Sequence, residues 1–330
     1  MKRKYLSHPT RPVRLAAGMT CDELLEGFEG CSFQARQLGL AAKIWAEALE
    51  DDIIVMLGLA GAMVPAGMRR VMAALMEHRF IDVVVSTGAN LYHDFFETAG
   101  NYHYLGNPAA DDAKLRDEKI DRIYDTYADE NGFVKLDRTI GAWAKRTLED
   151  RPYTTREFLY LLGKHAGRVS KGEQGILSTA ARLGIPVYCP AIGDSSIGIG
   201  LAELGRTILF DMIGDVEETA RIAAMKPTMV IYVGGGTPKN FIQQTEVTNN
   251  ILGRPVEGHR YAIQFVVDAP HWGGLSGCTF DEAISWGKIA VHAKRVTVVC
   301  DAAIALPMVA AAVMTRRKGK KRRSVPSFSF

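Results

Sequence analysis

The chain has 330 residues, 47% of them hydrophobic, with a mean hydropathy of −0.01 and a formal net charge of +3. That composition describes a globular body with a sizeable core, and so small a charge argues against a nucleic-acid-binding body. No apolar run reaches membrane-spanning length, the basic start Met1–Ser7 lacks the apolar core of a signal peptide, and the five cysteines show no CxxC pair, which together predict a cytoplasmic protein with reduced thiols.

Residues 1–34 read as an N-terminal arm, with a short helix over Asp22–Phe28. Apolar residues at helical spacing over Ala35–Leu49 predict an amphipathic helix. The run Ile53–Leu59 reads as a buried strand, a helix follows to His78, and Asp82–Gly88 is the next strand with its exit, which completes a βαβ unit. Residues 92–135 are polar and aromatic with weak periodicity, and they read as an insertion over the site or a partner subunit. Helices are expected at Thr154–Lys164, Gln174–Leu183 and Val216–Ala224. Strands are expected at Ile185–Tyr188, Thr207–Asp211, Met229–Val233, Tyr261–Val267 and Val296–Val299, and a last apolar helix runs to Met314. Strand and helix alternate through residues 35–315, which predicts one α/β domain with a doubly wound, mostly parallel sheet flanked by helices. The basic run Arg316–Arg323 opens a tail, 316–330, read as disordered and solvated.

Four strand exits carry suggestive residues: Thr87-Gly88-Ala89-Asn90, Gly193–Gly198, the triplet Gly234–Gly236, and Asp301-Ala302. Glycines at such exits let a backbone approach a pyrophosphate, and the following helix N-terminus supplies donors. Tight turns need glycine for conformational reasons as well, and no GxGxxG follows the first strand, so this is not a standard Rossmann fingerprint.

Further on, the loop with Gly273, Gly274 and Gly277 leads into a helix expected from Thr279, with Asp281 and Glu282 in its first turn and Lys288 two turns on. A lysine beside an indole, here Trp286, and short of water loses part of its preference for charge, and a neutral lysine attacks imine or carbonyl carbons. The same spacing also suits an ordinary surface lysine.

The segment Asp281-Glu282-Ala283-Ile284-Ser285-Trp286-Gly287-Lys288-Ile289 resembles the active-site segment of the deoxyhypusine synthase family. The resemblance extends over residues 35–312 and is strongest at 82–88, 190–198, 231–236 and 273–302. It implies a homotetrameric, NAD-dependent aminoalkyl transferase that takes an aminobutyl group from a polyamine such as spermidine and passes it to an amine acceptor. Lys288 would carry the covalent imine, with Glu282 as its catalytic carboxylate. The cofactor contacts it implies fall on Thr87, Gly88, Ala89, Asp194, Gly235, Ser276, Asp301 and Ala302, and the polyamine contacts on Glu282, Trp286, Gly273, His93 and Asn240.

Several family positions differ here. Acidic anchors are replaced by Ile199 and Leu275, the proton-handling histidine by Asn240, and a glutamate beside the cofactor by His93. A Ser-Asn pair becomes Gly61-Ala62 and a Thr-Ala pair becomes Val267-Asp268. His93, Asp94, Asp268 and His271 could supply replacement proton handling; the histidines lack metal-ligand spacing, so no metal is expected. The departures leave three readings open: transfer to a protein lysine, transfer to a small diamine as in homospermidine synthesis, or a non-catalytic NAD-binding protein on the same fold.

Overall fold

The computed structural model describes residues 5–172, 174–204, 208–321, 323 and 326–328. Six strands form the central sheet: β1 (Ile54–Leu59), β2 (Val83–Ser86), β6 (Val187–Tyr188), β7 (Thr228–Val233), β8 (His259–Phe265) and β9 (Ile289–Val298). Their order is β6-β2-β1-β7-β8-β9 and every pairing is parallel. This is the doubly wound α/β architecture expected from the alternation of elements. A strand with helices on both faces has no polar side, and β1, β2 and β7 are buried at every position. Alternate residues supply two cores. Val55, Leu57 and Leu59 pack with Trp45, Leu306 and Val309, while Ile54 and Met56 pack with Val83, Tyr232 and Ile242.

The chain moves outward from β1 through β2 to β6, then returns to the other side of β1 and continues through β7, β8 and β9. The direction reverses between β1 and β7, and that reversal opens a crevice at the carboxyl ends of these two strands.

Outside the segment 273–289, the structure departs from the sequence expectations in five places. Within 92–135, β3 (Tyr104–Leu105), β4 (Ile120–Ile123) and β5 (Thr126–Asp129) make a small antiparallel sheet, and the helix Glu130–Thr147 follows. Over 207–211, the described residues form no strand beyond an isolated bridge from Phe210 to Tyr153; Thr207 lies outside the described residues. β9 has ten residues, because Val291, His292 and Lys294 lie exposed on an edge strand and mask its apolar pattern. The helix Cys21–Glu29, closed by a Thr20–Glu23 capping box, is packed into the body through the fully buried Leu25. Finally, a solvated tail does not describe Arg316, Arg317, Lys320 and Arg323. Arg316 pairs with Asp22 and Glu29, Arg317 and Lys320 pair with Glu50, and Arg323 reaches the buried Asp82.

Candidate functional site

At the β1/β7 crevice both strand exits turn on glycine. Gly61 has φ +75° and Gly234 has φ +69°, left-handed conformations that strain other residues, and Gly236, also left-handed, opens the 16-residue helix Gly236–Ile251. Gly235 lies against the loop before the acidic segment: a Cβ there would meet Ser276 Cα at 2.4 Å. The bare backbone at this turn is therefore required by a close approach as well as by its torsions.

Beneath the turn lies a residue that the sequence reading missed. Lys239 is 1% exposed, and its Nζ donates to Gln264 Oε1 at 3.0 Å, Cys278 O at 2.6 Å and Ser276 O at 3.5 Å. Gln264 Nε2 donates in turn to Gly234 O at 2.9 Å and Ser276 O at 2.8 Å. Burial pushes the Lys239 ammonium down to about 8, with Cys278 and Glu282 opposing and Lys288 adding to the depression. The available signal was the stripe Lys239, Gln243, Glu246 and Asn249, polar residues at the spacing of one buried helix face.

The expected long helix is short. It spans Phe280–Ser285, with the Thr279 side chain accepting from Glu282 N at 3.0 Å, and Trp286 caps it. Gly287 then turns with φ +70°, so Lys288 stands at the entry to β9 instead of on the helix. Its carbonyl accepts from His259 N at the amino edge of the sheet. The Lys288 side chain lies beside helix Gly236–Ile251, with Nζ 3.4 Å from Asn240 Oδ1 and 5.3 Å from the Trp286 ring centre. Glu282 is exposed, close enough to Cys278 to accept from its thiol and to act on Lys239 through its charge.

The structure thus brings Gly235, Ser276 and Glu282 together around Lys239, with Lys288 beside Asn240 and Trp286. Thr87, Gly88 and Ala89 stand at the exit of β2, where a Cβ on Gly88 would meet Ser195 Oγ at 2.3 Å. Asp194 is exposed beside Ser195, on a cavity of about 550 Å³ that Pro190, Leu201 and Phe210 also line. Asp301 follows β9, exposed, and its Oδ1 accepts from Ala303 N at 2.8 Å as the cap of helix Ala302–Arg316. The six strand exits form a row of roughly 24 Å at 4.8 Å per interval. Gly273 is exposed in the loop after the short 3₁₀ turn Pro270–Trp272.

His93 sits in helix Gly88–Thr98, its Nδ1 2.9 Å from His103 Nε2, while His103 Nδ1 bonds Glu97 at 2.7 Å. Burial, with His103 adding, holds His93 down to about 4. Asp94 is no proton donor at the site. It is fully buried, paired with Arg69 at 2.9 Å, and accepts from Ile176 N and Leu177 N at a helix start. The two aliphatic replacements are exposed, Ile199 by 61% and Leu275 by 47%, so neither was recruited into the core.

Among the described residues, no helix is long and apolar enough to cross a membrane, and no group of three histidines, cysteines or carboxylates is placed to hold a metal. The sequence model of the family described as deoxyhypusine synthase matches residues 23–313. A Methanosarcina mazei protein called probable deoxyhypusine synthase 2 is 48% identical, over 99% of this chain and 95% of its own. An Archaeoglobus fulgidus protein of the same description is 48% identical, over 90% and 98%. Among solved structures, a candidate deoxyhypusine synthase from Entamoeba histolytica superposes with a TM-score of 0.62 at 15% identity, covering 93% of this chain and 96% of that one, a likeness of fold.

Proposed function

The chain belongs to the deoxyhypusine synthase family, and on that premise we propose that it is an NAD-dependent aminobutyl transferase using a polyamine such as spermidine. The observation that carries the proposal is the convergence of Lys288, Glu282 and Trp286 with the Gly235–Ser276 contact beside the sheet's switch point.

The residues present fit a dinucleotide. Added Cβ atoms at Gly61 and Gly236 would meet nothing within 4 Å, so the crevice is open backbone that a pyrophosphate can approach. Helix Gly236–Ile251 offers its first amides to the anion. Thr87, Gly88, Ala89 and Asp194 would hold one end of the cofactor, and Gly235, Ser276, Asp301 and Ala302 the other. Bound there, NAD would take hydride from the carbon beside a secondary amine and later return it.

The chain's own residues would do the rest. Glu282 attracts the cationic polyamine, and the exposed Trp286 covers its apolar stretch. The Nζ lone pair of Lys288 forms a bond to the iminium carbon. Its proton moves to the polyamine nitrogen, the old carbon–nitrogen bond breaks, and a diamine leaves. An acceptor amine then repeats these steps against the Lys288 imine and frees Nζ. Free imines hydrolyse, so the pocket must exclude water. The exposed Trp272 and Trp286, at 76% and 64%, suit burial by a second subunit of a cytoplasmic homotetramer.

A small diamine acceptor is the second reading, and one observation favours it. Where the family grips ammonium groups with acids, this surface presents Ile199 and Leu275, both exposed. Label transfer from spermidine to putrescine or to a lysine-bearing protein tests both readings. The expected result is transfer by the wild type and none by Lys288→Arg, whose NAD affinity stays unchanged. Equal transfer by both would remove Lys288 from the mechanism, and none by either, with tight NAD binding, would favour the non-catalytic alternative.

A further inference from the structure

Lys239 carries an ammonium into the interior without a carboxylate bonded to it. Its three protons meet Gln264 Oε1, Cys278 O and Ser276 O, all neutral oxygens. Burying a charge against neutral partners is costly, and a methionine of similar volume would fill the space without that penalty. The arrangement suggests that the charge has a use.

Its bonds show what that use is. Lys239 belongs to helix Gly236–Ile251 and Gln264 to β8, both rigid, whereas Ser276 and Cys278 lie in a loop with Gly273, Gly274 and Gly277. Gly273 has φ +72°, and Gly273 and Gly274 touch nothing that an added Cβ would reach within 4 Å, so this loop has little conformational preference of its own. Two consecutive anchors, the carbonyls of Ser276 and Cys278, tie it down from below. From above, Ser276 meets Gly235. Immediately after the second anchor, Thr279 caps the helix that carries Glu282.

We infer that Lys239 is a positioning residue: it pins Ser276–Cys278 against the Gly234–Gly236 turn and so fixes Glu282 and the Gly235–Ser276 contact relative to Lys288. It does not touch substrate and acts through the loop. The catalytic part of this inference rests on the transfer reading given above; the anchoring part does not.

Two variants and two readouts test it. Lys239→Met keeps volume and loses the charge. Gln264→Leu keeps the Lys239 ammonium and its bonds to Ser276 O and Cys278 O, but removes its Gln264 acceptor and the second set of bonds to Ser276 and Gly234. Backbone amide exchange, followed by mass analysis of peptides, compares residues 273–279 with β7 and β8 in the same sample. Lys239→Met is expected to raise exchange of 273–279 at least tenfold while β7 and β8 stay protected, and Gln264→Leu to do so to a smaller extent. With spermidine and NAD, kcat of Lys239→Met should fall about 100-fold, the scale of an ångström-sized misplacement, with a smaller change in KM. Lys239→Arg, which keeps a buried cation, should recover part of kcat. Unchanged exchange of 273–279 in a folded Lys239→Met would overturn the inference whatever the activity. So would faster exchange of this loop with wild-type kcat. If Lys239→Met does not fold, Gln264→Leu carries the test alone, and the same exchange result decides it. Wild-type protein with no activity on any polyamine would sink the transfer reading and leave the exchange result to judge the anchor.

Discussion

At the amino edge of the sheet, Asp82 is wholly buried and accepts from Val55 N at 2.9 Å and from Arg323 at 3.1 Å, while Arg323 also donates to Arg79 O and Ile53 O. Nearby, His259 is wholly buried between Thr228 Oγ1 at 2.6 Å and Glu246 at 3.3 Å. At the carboxyl edge, Gly61, Asp194, Val267, Asp268 and Asp301 are exposed, and the exits of β1 and β7 turn on glycine. The two edges have similar backbone but opposite uses of polarity. Polar groups at the amino edge are bonded to one another inside the protein, so they serve stability. Groups at the carboxyl edge face outward, so they are available to a ligand. Lys288 belongs to both: its backbone bonds His259 at the closed edge, and its side chain extends toward the open one. The backbone bond holds Lys288 at the rigid edge, and its Nζ makes one long side-chain contact, to Asn240 Oδ1 at 3.4 Å.

The largest expected effect falls on the open side. Lys288→Arg should reduce transfer by more than about 1000-fold, because guanidinium remains protonated and cannot attack an imine carbon. NAD affinity, measured by calorimetry, should stay within a factor of two.

The next effect separates the two edges. Arg323→Ala would strip the buried Asp82 carboxylate of its bonded cation and leave only the weaker field of Arg79, an expected loss of about 3–5 kcal/mol in urea unfolding. NAD affinity at the far edge should be untouched. A neutral outcome in unfolding would show that the basic run contributes nothing to the closed edge.

Asp301→Ala acts at the open edge, and NAD binding should weaken by about 1–3 kcal/mol, the range of a charge-assisted hydrogen bond. The same change removes the cap of helix Ala302–Arg316, worth about 1 kcal/mol of stability. Calorimetry with equal affinity in wild type and variant would take Asp301 out of the cofactor site.

The last effect is a pH dependence at the closed edge. Burial pushes Glu246 up to about 7, so the folded chain holds a proton that the unfolded chain releases near 4.5. Its contribution is therefore present below pH 4.5 and is lost as pH rises through 7. His259, pushed down to about 3 by burial, works in the opposite sense between pH 3 and 6.5. Because His259 lies 3.3 Å from Glu246, the difference between wild type and Glu246→Gln reports the contacting pair, with Glu246 setting its sign. Wild-type stability should fall relative to the variant by about 1–3 kcal/mol between pH 4.5 and 7. A pH-independent difference would contradict this placement of the proton.

The sequence exposed the parts of this molecule whose local pattern matches their final environment. Ile53–Leu59 and Met229–Val233 are continuous apolar runs because both faces of those strands are covered, and the glycines at 234–236 mark a turn wherever they occur. The acidic Trp-Gly-Lys segment was legible by resemblance. Its geometry was not, because a left-handed Gly287 that ends a helix looks the same in sequence as a glycine within one. Lys239 was hidden for a related reason: its bonds go to Gln264, Ser276 and Cys278, 25 to 39 positions away, and no local spacing encodes them. The basic residues Arg316, Arg317, Lys320 and Arg323 resemble a solvated tail in composition, and the tertiary positions of Asp22, Glu29, Glu50 and Asp82 give them partners.

Covalent attachment of the transferred group to Lys288 carries the proposed mechanism. It is tested most directly by incubating the protein with NAD and spermidine, reducing with borohydride, and mapping modified peptides by mass spectrometry. The account predicts an added aminobutyl group on the Lys288 peptide that requires NAD and is absent from Lys288→Arg. An adduct on another lysine, Lys239 included, with Lys288 unmodified would contradict it.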